Sequence, residues 1–414
     1  MAASSWNNVG LSEIAEFRNG INYNKTNFGK GIRVVGVKDF QDRSFPIYDN
    51  LEEINPDGVV REESLLRNGD VLFVRSNGNR ELIGRSLFVR DLPDYAVTHS
   101  AFTIRVRPTS PEANPRFLAY LFRSRLIRDV LSAQGNGANI SNLNQDILSR
   151  LRVPLPDRRT QARVASILSA YDDLIENNSR RIAILEKMAR LIYEEWFVRF
   201  RFPGRKEVRM VESELGLVPK GWQVSPCSSV AEFINGYAFK PSDWSAHGVP
   251  IIKIKELKDG VTQQTPRLEG TIASRYKIHD GDLLFSWSAD LDVYLWNGGR
   301  GWLNQHLFQV QPTSASKCFM FHALRQVMPE FRSKSAGTTM RHIKRSALDE
   351  VRLLVPPSHL HESFDAVAAP MDALVLQLER KNRNLRMTRD LLLPKLISGE
   401  LDVSELSDSM ADIA

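Results

Sequence analysis

The chain has 414 residues, more than one ordinary hydrophobic core serves, so its length predicts two domains or more. Hydrophobic residues make up 42%, enough for packed interiors, and charges break every apolar run before it reaches membrane-spanning length. The net charge of +6 leans mildly towards a polyanionic partner, while two distant cysteines, Cys227 and Cys318, argue against a disulfide framework and a zinc site and fit a reducing cytoplasm.

The start, "MAASSWNN", lacks the basic-then-apolar layout of a signal peptide. Next comes "AEFRNG" at 15–20, which returns as "AEFING" at 231–236. Trp6 and Trp222, Tyr23 and Phe239, and Phe28 and Trp244 fall at the same spacing of 216 residues. "RVVGVKD" (33–39) resembles "PIIKIKE" (250–256), and "NGDVLFVRS" (68–76) resembles "DGDLLFSWS" (280–288). By "LSRLRVP" (148–154) and "LDEVRLLVP" (348–356) the spacing has shrunk to about 200, so the second copy lost residues in its middle. Matching ends and diverging centres predict a common frame carrying two different variable surfaces. The period is far too long for a solenoid.

Short β-branched runs such as "IRVVGVKD", "DVLFVRS" and "FTIRVRP" predict strands. "PRFLAYLFRSRLIRDVLSAQ" and "KCFMFHALRQVMPEFRSKSA" predict one helix in each copy, so the fold class is α+β. Each copy then runs into a long helix, preceded by proline, with Asp157 and Ser358 as candidate caps. Val164, Leu168, Tyr171, Ile175, Asn178, Ile182, Leu185, Ala189, Ile192 and Trp196 follow alternating steps of four and three, a heptad seam. In the second copy the seam is Phe364, Ala368, Met371, Val375, Leu378, Asn382, Leu385, Arg389, Leu392 and Leu396, flawed at Arg389. From Val164 to Trp196 such a helix measures roughly 48 Å. A centred antiparallel pairing sets Asn178 opposite Asn382, a polar pair that fixes register; the alternative leaves both in water at the seam's edge. The expected architecture is two duplicated globular domains joined by two long antiparallel coiled-coil helices. The expected limits are 1–155, 156–200 (helix), 201–218 (linker), 219–356, 357–400 (helix) and 401–414 (tail).

"EEWFVRFRFPG" (194–204), "SELGLVPKGW" (213–222) and "LLLPKLISGELDV" (391–403) resemble signature segments of the specificity subunit of type I restriction–modification systems. The resemblance covers nearly the whole chain: two target-recognition domains, each followed by a spacer helix. It departs in one place. The Glu-Gln pair often found at the start of each spacer is Thr160-Gln161 here and is missing from "SHLHESF". The resemblance implies a non-catalytic, cytoplasmic reader of duplex DNA. Each domain reads half of a bipartite asymmetric site, and the helices set the gap and dock two methyltransferase subunits. Those partners carry S-adenosylmethionine and methylate adenine; two motor-nuclease subunits use ATP and magnesium. A helix of roughly 48 Å suits half-sites about one DNA turn, about 34 Å, apart.

Candidate DNA contacts lie on loops of the frame. "RSNGNR" offers Arg75, Asn77, Asn79 and Arg80, since arginine suits guanine and asparagine adenine, although either also binds phosphate and an ordinary polar turn has the same composition. The matching loop of the second copy offers Trp287, Ser288 and Arg300, with its tryptophans alternatively in the core. "GNGANISN" offers Asn136, Asn139 and Ser141, and "GTTMRHIK" offers Thr338, Thr339, Arg341, His342 and Lys344. Lys25, Lys38, Lys253 and Lys255 are candidate phosphate contacts, although for any single lysine a solvated surface is the commoner use. The repeated Gly-Asp at 69–70 and 281–282 reads as a turn. His359 and His361 of "HLHE" point apart at a helix start, so no metal site is expected. No phosphate-binding Gly-x-x-x-x-Gly-Lys-Ser/Thr loop, amino-methyltransferase motif or nuclease cluster occurs, which argues against an enzyme. A protein-binding scaffold and a silent, recombining specificity cassette are the remaining alternatives.

Overall fold

The computed structural model describes residues 6–40, 43–76, 82–133, 142–335 and 342–404. The chain divides into two compact units, Met1–Glu176 with Asn384–Ala414, and Asn177–Arg383. Each long helix is thus shared between the units.

In the first unit β1 (Asn7–Gly10), the single turn α1 (Leu11–Ile14) and β2 (Ala15–Asn19) open the chain. Then come β3 (Phe28–Val35), β4 (Glu52–Ile54), β5 (Val71–Val74), β6 (Ser86–Phe88), β7 (Val97–His99) and β8 (Thr103–Pro108). One antiparallel sheet has the order β2-β8-β5-β6; a second has β4-β3-β7, with β3 and β7 parallel. β5 is buried on both faces, which explains its unbroken apolar run. Val71 and Phe73 join the core around Phe117 and Phe122, while Leu72 and Val74 join Val35 and Phe40. Helices α2 (Pro115–Arg123), α3 (Arg125–Ala133) and α4 (Gln145–Ser149) follow, and β9 (Arg152–Leu155) pairs with β1, Asn7 opposite Leu155. The two ends of the copy meet in this strand pair.

The expected single helix over 115–134 is two, because Ser124 is extended (ψ 153°) and its hydroxyl bonds the Leu121 carbonyl at 2.6 Å. Next, α5 (Arg158–Tyr193) ends in a wide turn at Glu194–Val198. Asp157 caps α5: its carboxylate accepts from the Thr160 hydroxyl at 2.7 Å and from the Thr160 amide at 3.0 Å, and these bonds hold its carboxyl below the usual range.

The second unit repeats the plan. A hairpin of β10 (Met210–Ser213) and β11 (Gly216–Pro219) leads to β12 (Gln223–Pro226), α6 (Cys227–Val230) and β13 (Ala231–Asn235). Then follow β14 (Val249–Ile252), α7 (Ile254–Asp259), β15 (Arg267–Leu268), β16 (Lys277–Ile278) and β17 (Leu283–Ser286). β18 (Asp292–Leu295), β19 (Gly301–Leu303), β20 (Leu307–Pro312), α8 (Lys317–Ser333), α9 (Ala347–Glu350) and β21 (Arg352–Val355) complete it. Its main sheet, β13-β20-β17-β18, matches β2-β8-β5-β6, and β12 pairs with β21 as β1 pairs with β9. The last helix is α10 (Ser358–Ile397).

The repeated Asn-Gly now has a cause. A Cβ on Gly20 would lie 2.2 Å from the Ser100 carbonyl oxygen, and one on Gly236 would lie 2.2 Å from that of Asn304. In both copies another stretch of backbone crosses against this glycine, and no side chain fits. The repeated Gly-Asp is a turn, as expected. Gly69 and Gly281 have φ of +96° and +86°, and the following aspartates accept the Arg67 and His279 amides at 2.7 and 2.8 Å.

All ten seam positions of α5 and all ten of α10 are buried or half-buried. In the second unit Asn178 donates to Asn382 at 2.9 Å, and Trp196 packs on Phe364, so α5 and α10 run antiparallel there. In the first unit the flaw at Arg389 is an ion pair. Arg389 binds Asp172, which also accepts from Tyr120 at 2.8 Å and Arg123 at 3.1 Å. Gln161, beside Thr160 at the start of the helix, is buried: its amide donates to the Glu112 and Pro156 carbonyls and accepts from the Asn114 amide.

Candidate nucleic-acid interface

In each copy the fold brings together the described edges of two of the sequence-selected loops. Past the end of β5, the Arg75 carbonyl accepts from the Leu143 amide at 2.9 Å, and the Arg75 amide donates to Phe102 at 2.8 Å. Past the end of β17, the Trp287 carbonyl accepts from the Ile343 amide at 3.0 Å, and Ser288 bridges to His342. The same backbone frame therefore holds both sites, and the glycine crossings lie beside them. Ile21 bridges to Ser100 and Tyr237 bridges to Asn304, each two residues before Phe102 or His306.

The side chains on this frame differ. In the first copy half-buried Arg75 is joined by Phe102, a phenyl ring 61% exposed. In the second, the Trp287 ring lies 5.7 Å from His306, and exposed His342 and Lys344 follow. Tyr237 packs at 5.5 Å on Tyr276, over which Arg275 sits at 4.7 Å. Exposed rings and guanidinium planes can stack on bases, and cations can meet phosphate. Phe102, Tyr237, Arg275 and Tyr276 are further candidates that the sequence did not single out. The signal available was divergence beside the repeated glycine, where Ile21 of one copy becomes Tyr237 of the other.

Other candidates stand apart. Ser288 is buried at 3% exposure, so its side chain offers no surface to a ligand. Arg300 is exposed but lies beyond β18, and Leu295 pairs with Leu283, at the end of β17 away from Trp287. Its turn instead meets α10 through Asn297, which bonds Glu379 and Arg383. Trp296 and Trp302 are core residues. Lys38 pairs with Glu52 at 3.1 Å, and Lys253 sits over the Trp244 ring at 4.1 Å; Lys25 and Lys255 are exposed. Asn77, Asn79, Arg80, Asn136, Asn139, Ser141, Thr338, Thr339 and Arg341 lie outside the described residues. His359 is exposed and His361 is turned inward against Phe319, so the "HLHE" pair does not converge. No helix among the described residues is long and apolar enough to cross a membrane.

Comparison with known proteins agrees with this plan. The model of the type I restriction modification DNA specificity domain matches residues 3–187 and again 219–362. The MjaIX specificity subunit of Methanocaldococcus jannaschii is 25% identical over 70% of each chain. The HindI specificity subunit of Haemophilus influenzae is 24% identical over 81% of this chain and 87% of its own. Among solved structures, the type I restriction–modification S subunit from M. genitalium superimposes with a TM-score of 0.59 at 13% identity, over 95% of this chain and 96% of that one. That likeness supports the fold. With both copies matched by the same model, the chain belongs to the family of type I restriction–modification DNA specificity subunits.

Proposed function

We propose that this chain reads a bipartite, asymmetric site in duplex DNA for a type I restriction–modification complex, one half-site per copy. The observation that carries the reading is the pair of equivalent loop junctions, Arg75 with Leu143 and Trp287 with Ile343, built on one frame yet furnished with unlike side chains. A shared frame keeps the mode of docking; unlike side chains make the two half-sites different. The long helices α5 and α10 act as a coiled-coil spacer that sets the gap between half-sites. They dock two methyltransferase subunits, which supply S-adenosylmethionine and methylate adenine. Motor-nuclease subunits supply ATP and magnesium chemistry, and the complex works in the cytoplasm. The chain itself carries no catalytic group in this reading.

The test is base-resolution methylation mapping of DNA from cells that co-express the chain with its methyltransferase. A two-part motif with methyladenine in each half is expected. Replacing residues 219–356 by those of another family member should change one half alone. Co-purification of the two proteins without any methylated motif would sink the reading and favour a scaffold or silent cassette.

A further inference from the structure

Cys318 and His322 lie one turn apart on α8, and Asp372 of α10 faces both. The Cys318 thiol approaches Asp372 Oδ2 at 3.3 Å and His322 Nε2 approaches the same oxygen at 3.2 Å. One donor atom from each residue lies within 4.8 Å of the others. Tetrahedral zinc holds sulfur at about 2.3 Å and nitrogen or oxygen at about 2.0–2.1 Å, which sets neighbouring donors about 3.3–3.6 Å apart. The cluster is therefore close to ligand spacing before any ion arrives.

A second observation asks for a cation. The equivalent carboxylate of the first copy, Asp172, is met by Arg123 and Arg389 as well as Tyr120. His322 occupies the place of Tyr120, on the matching helix. Yet among the described residues Asp372 has no arginine or lysine partner; its contacts are the thiol and the imidazole. Arg325, which matches Arg123, goes to Glu186 instead. The His322 and Asp372 side chains are 4% and 11% exposed, and Tyr193 and Phe364 pack against the His322 ring. A buried carboxylate without a cation is costly.

We infer that Cys318, His322 and Asp372 form a structural binding site for a divalent transition-metal ion of the zinc type, which clips α8 to α10 within the second unit. Asp365, a second carboxylate beside the thiol that accepts the Ser316 hydroxyl at 2.7 Å, or a water, completes the set. Burial and these two carboxylates push the Cys318 thiol up, so without a cation it keeps its proton. Metal binding displaces that proton and leaves a thiolate ligand. Mixed sulfur, nitrogen and oxygen donors suit zinc better than magnesium or calcium, which prefer oxygen alone.

The experiment uses the full chain, dialysed free of metal and titrated in separate samples with zinc and with cobalt(II). One equivalent of zinc per chain and a higher melting temperature are expected. Cobalt should give the visible bands of a tetrahedral site and a thiolate charge-transfer band. Cys227→Ala should keep that band and Cys318→Ser should abolish it. Substoichiometric zinc with no cobalt band, or a band that survives Cys318→Ser, overturns the site. Should the Cys318 variant not fold, the unmodified chain and Cys227→Ala decide alone: no band in the unmodified chain, or its loss in Cys227→Ala, rejects the inference.

Discussion

Along the central strand of its main sheet the first copy places Arg105 and Arg107, where the second copy places Gln309 and Gln311. Arg105 is 2% exposed; it donates to the Glu63 carbonyl at 2.7 Å and to Glu16 at 2.9 Å. Arg107 grips both oxygens of Asp70, at 2.7 and 2.8 Å. In the second copy Gln309 donates to Asp282, the matching turn aspartate, at 2.9 Å. His99, buried beside the arginines, is replaced by Leu303. The aspartate that closes the turn is thus retained while its partner changes from guanidinium to amide. The repeat keeps what fixes backbone geometry and lets the filling of the frame change.

The largest expected effect tests the shared part of that comparison. Gly20→Ala and Gly236→Ala each force a methyl against a backbone carbonyl, and each should cost about 3–5 kcal/mol in urea unfolding. A small loss in either would mean that the crossing relaxes and that the repeated glycine has another cause. Next is Asp172→Ala, which leaves Arg123 and Arg389 without their common buried carboxylate. It should also cost about 3–5 kcal/mol, measured the same way. A loss below 1 kcal/mol would show that this charge cluster is already hydrated.

The seam pair comes third. Asn178→Ala or Asn382→Ala alone strands a buried amide and should cost about 1–3 kcal/mol. The double variant should lose less than the sum of the two, and a cycle without coupling would remove the proposed role in register.

The smallest effect separates the copies by pH. Burial, then Arg105, Arg107 and Arg18, depress His99 from 6.5 to about 3. The unfolded chain therefore binds a proton between those values and the folded chain does not, so stability falls as pH drops below 6.5. The His99 contribution to that slope reaches at most about 1.4 kcal/mol per pH unit. His99→Leu, the residue of the second copy, should flatten it, read as melting temperature at pH 7 and pH 5. The Thr103 hydroxyl keeps its bond to the Ser100 carbonyl at 2.8 Å. An unchanged slope would assign the acid sensitivity to carboxylates.

Residue order alone carried the duplication, the α+β class and the long helices with their seam; it offered the meeting of Asn178 with Asn382 as one of two readings, and the structure shows that bond. These are local periodicities or patterns repeated within the chain, and period is written directly in residue order. It also exposed "AEFRNG" and "AEFING", but not the reason for their glycine, which lies in distant backbone, at Ser100 for Gly20 and at Asn304 for Gly236. Tertiary structure alone decided the rest. It joined Arg75 to Leu143, buried Ser288, put Arg300 beyond β18 and away from Trp287, and answered the flaw at Arg389 with Asp172. It also set Cys318 and His322 against Asp372, a grouping that two distant cysteines do not announce. Contacts between residues far apart in the chain leave no period to read; they exist only once the sheets and helices have packed.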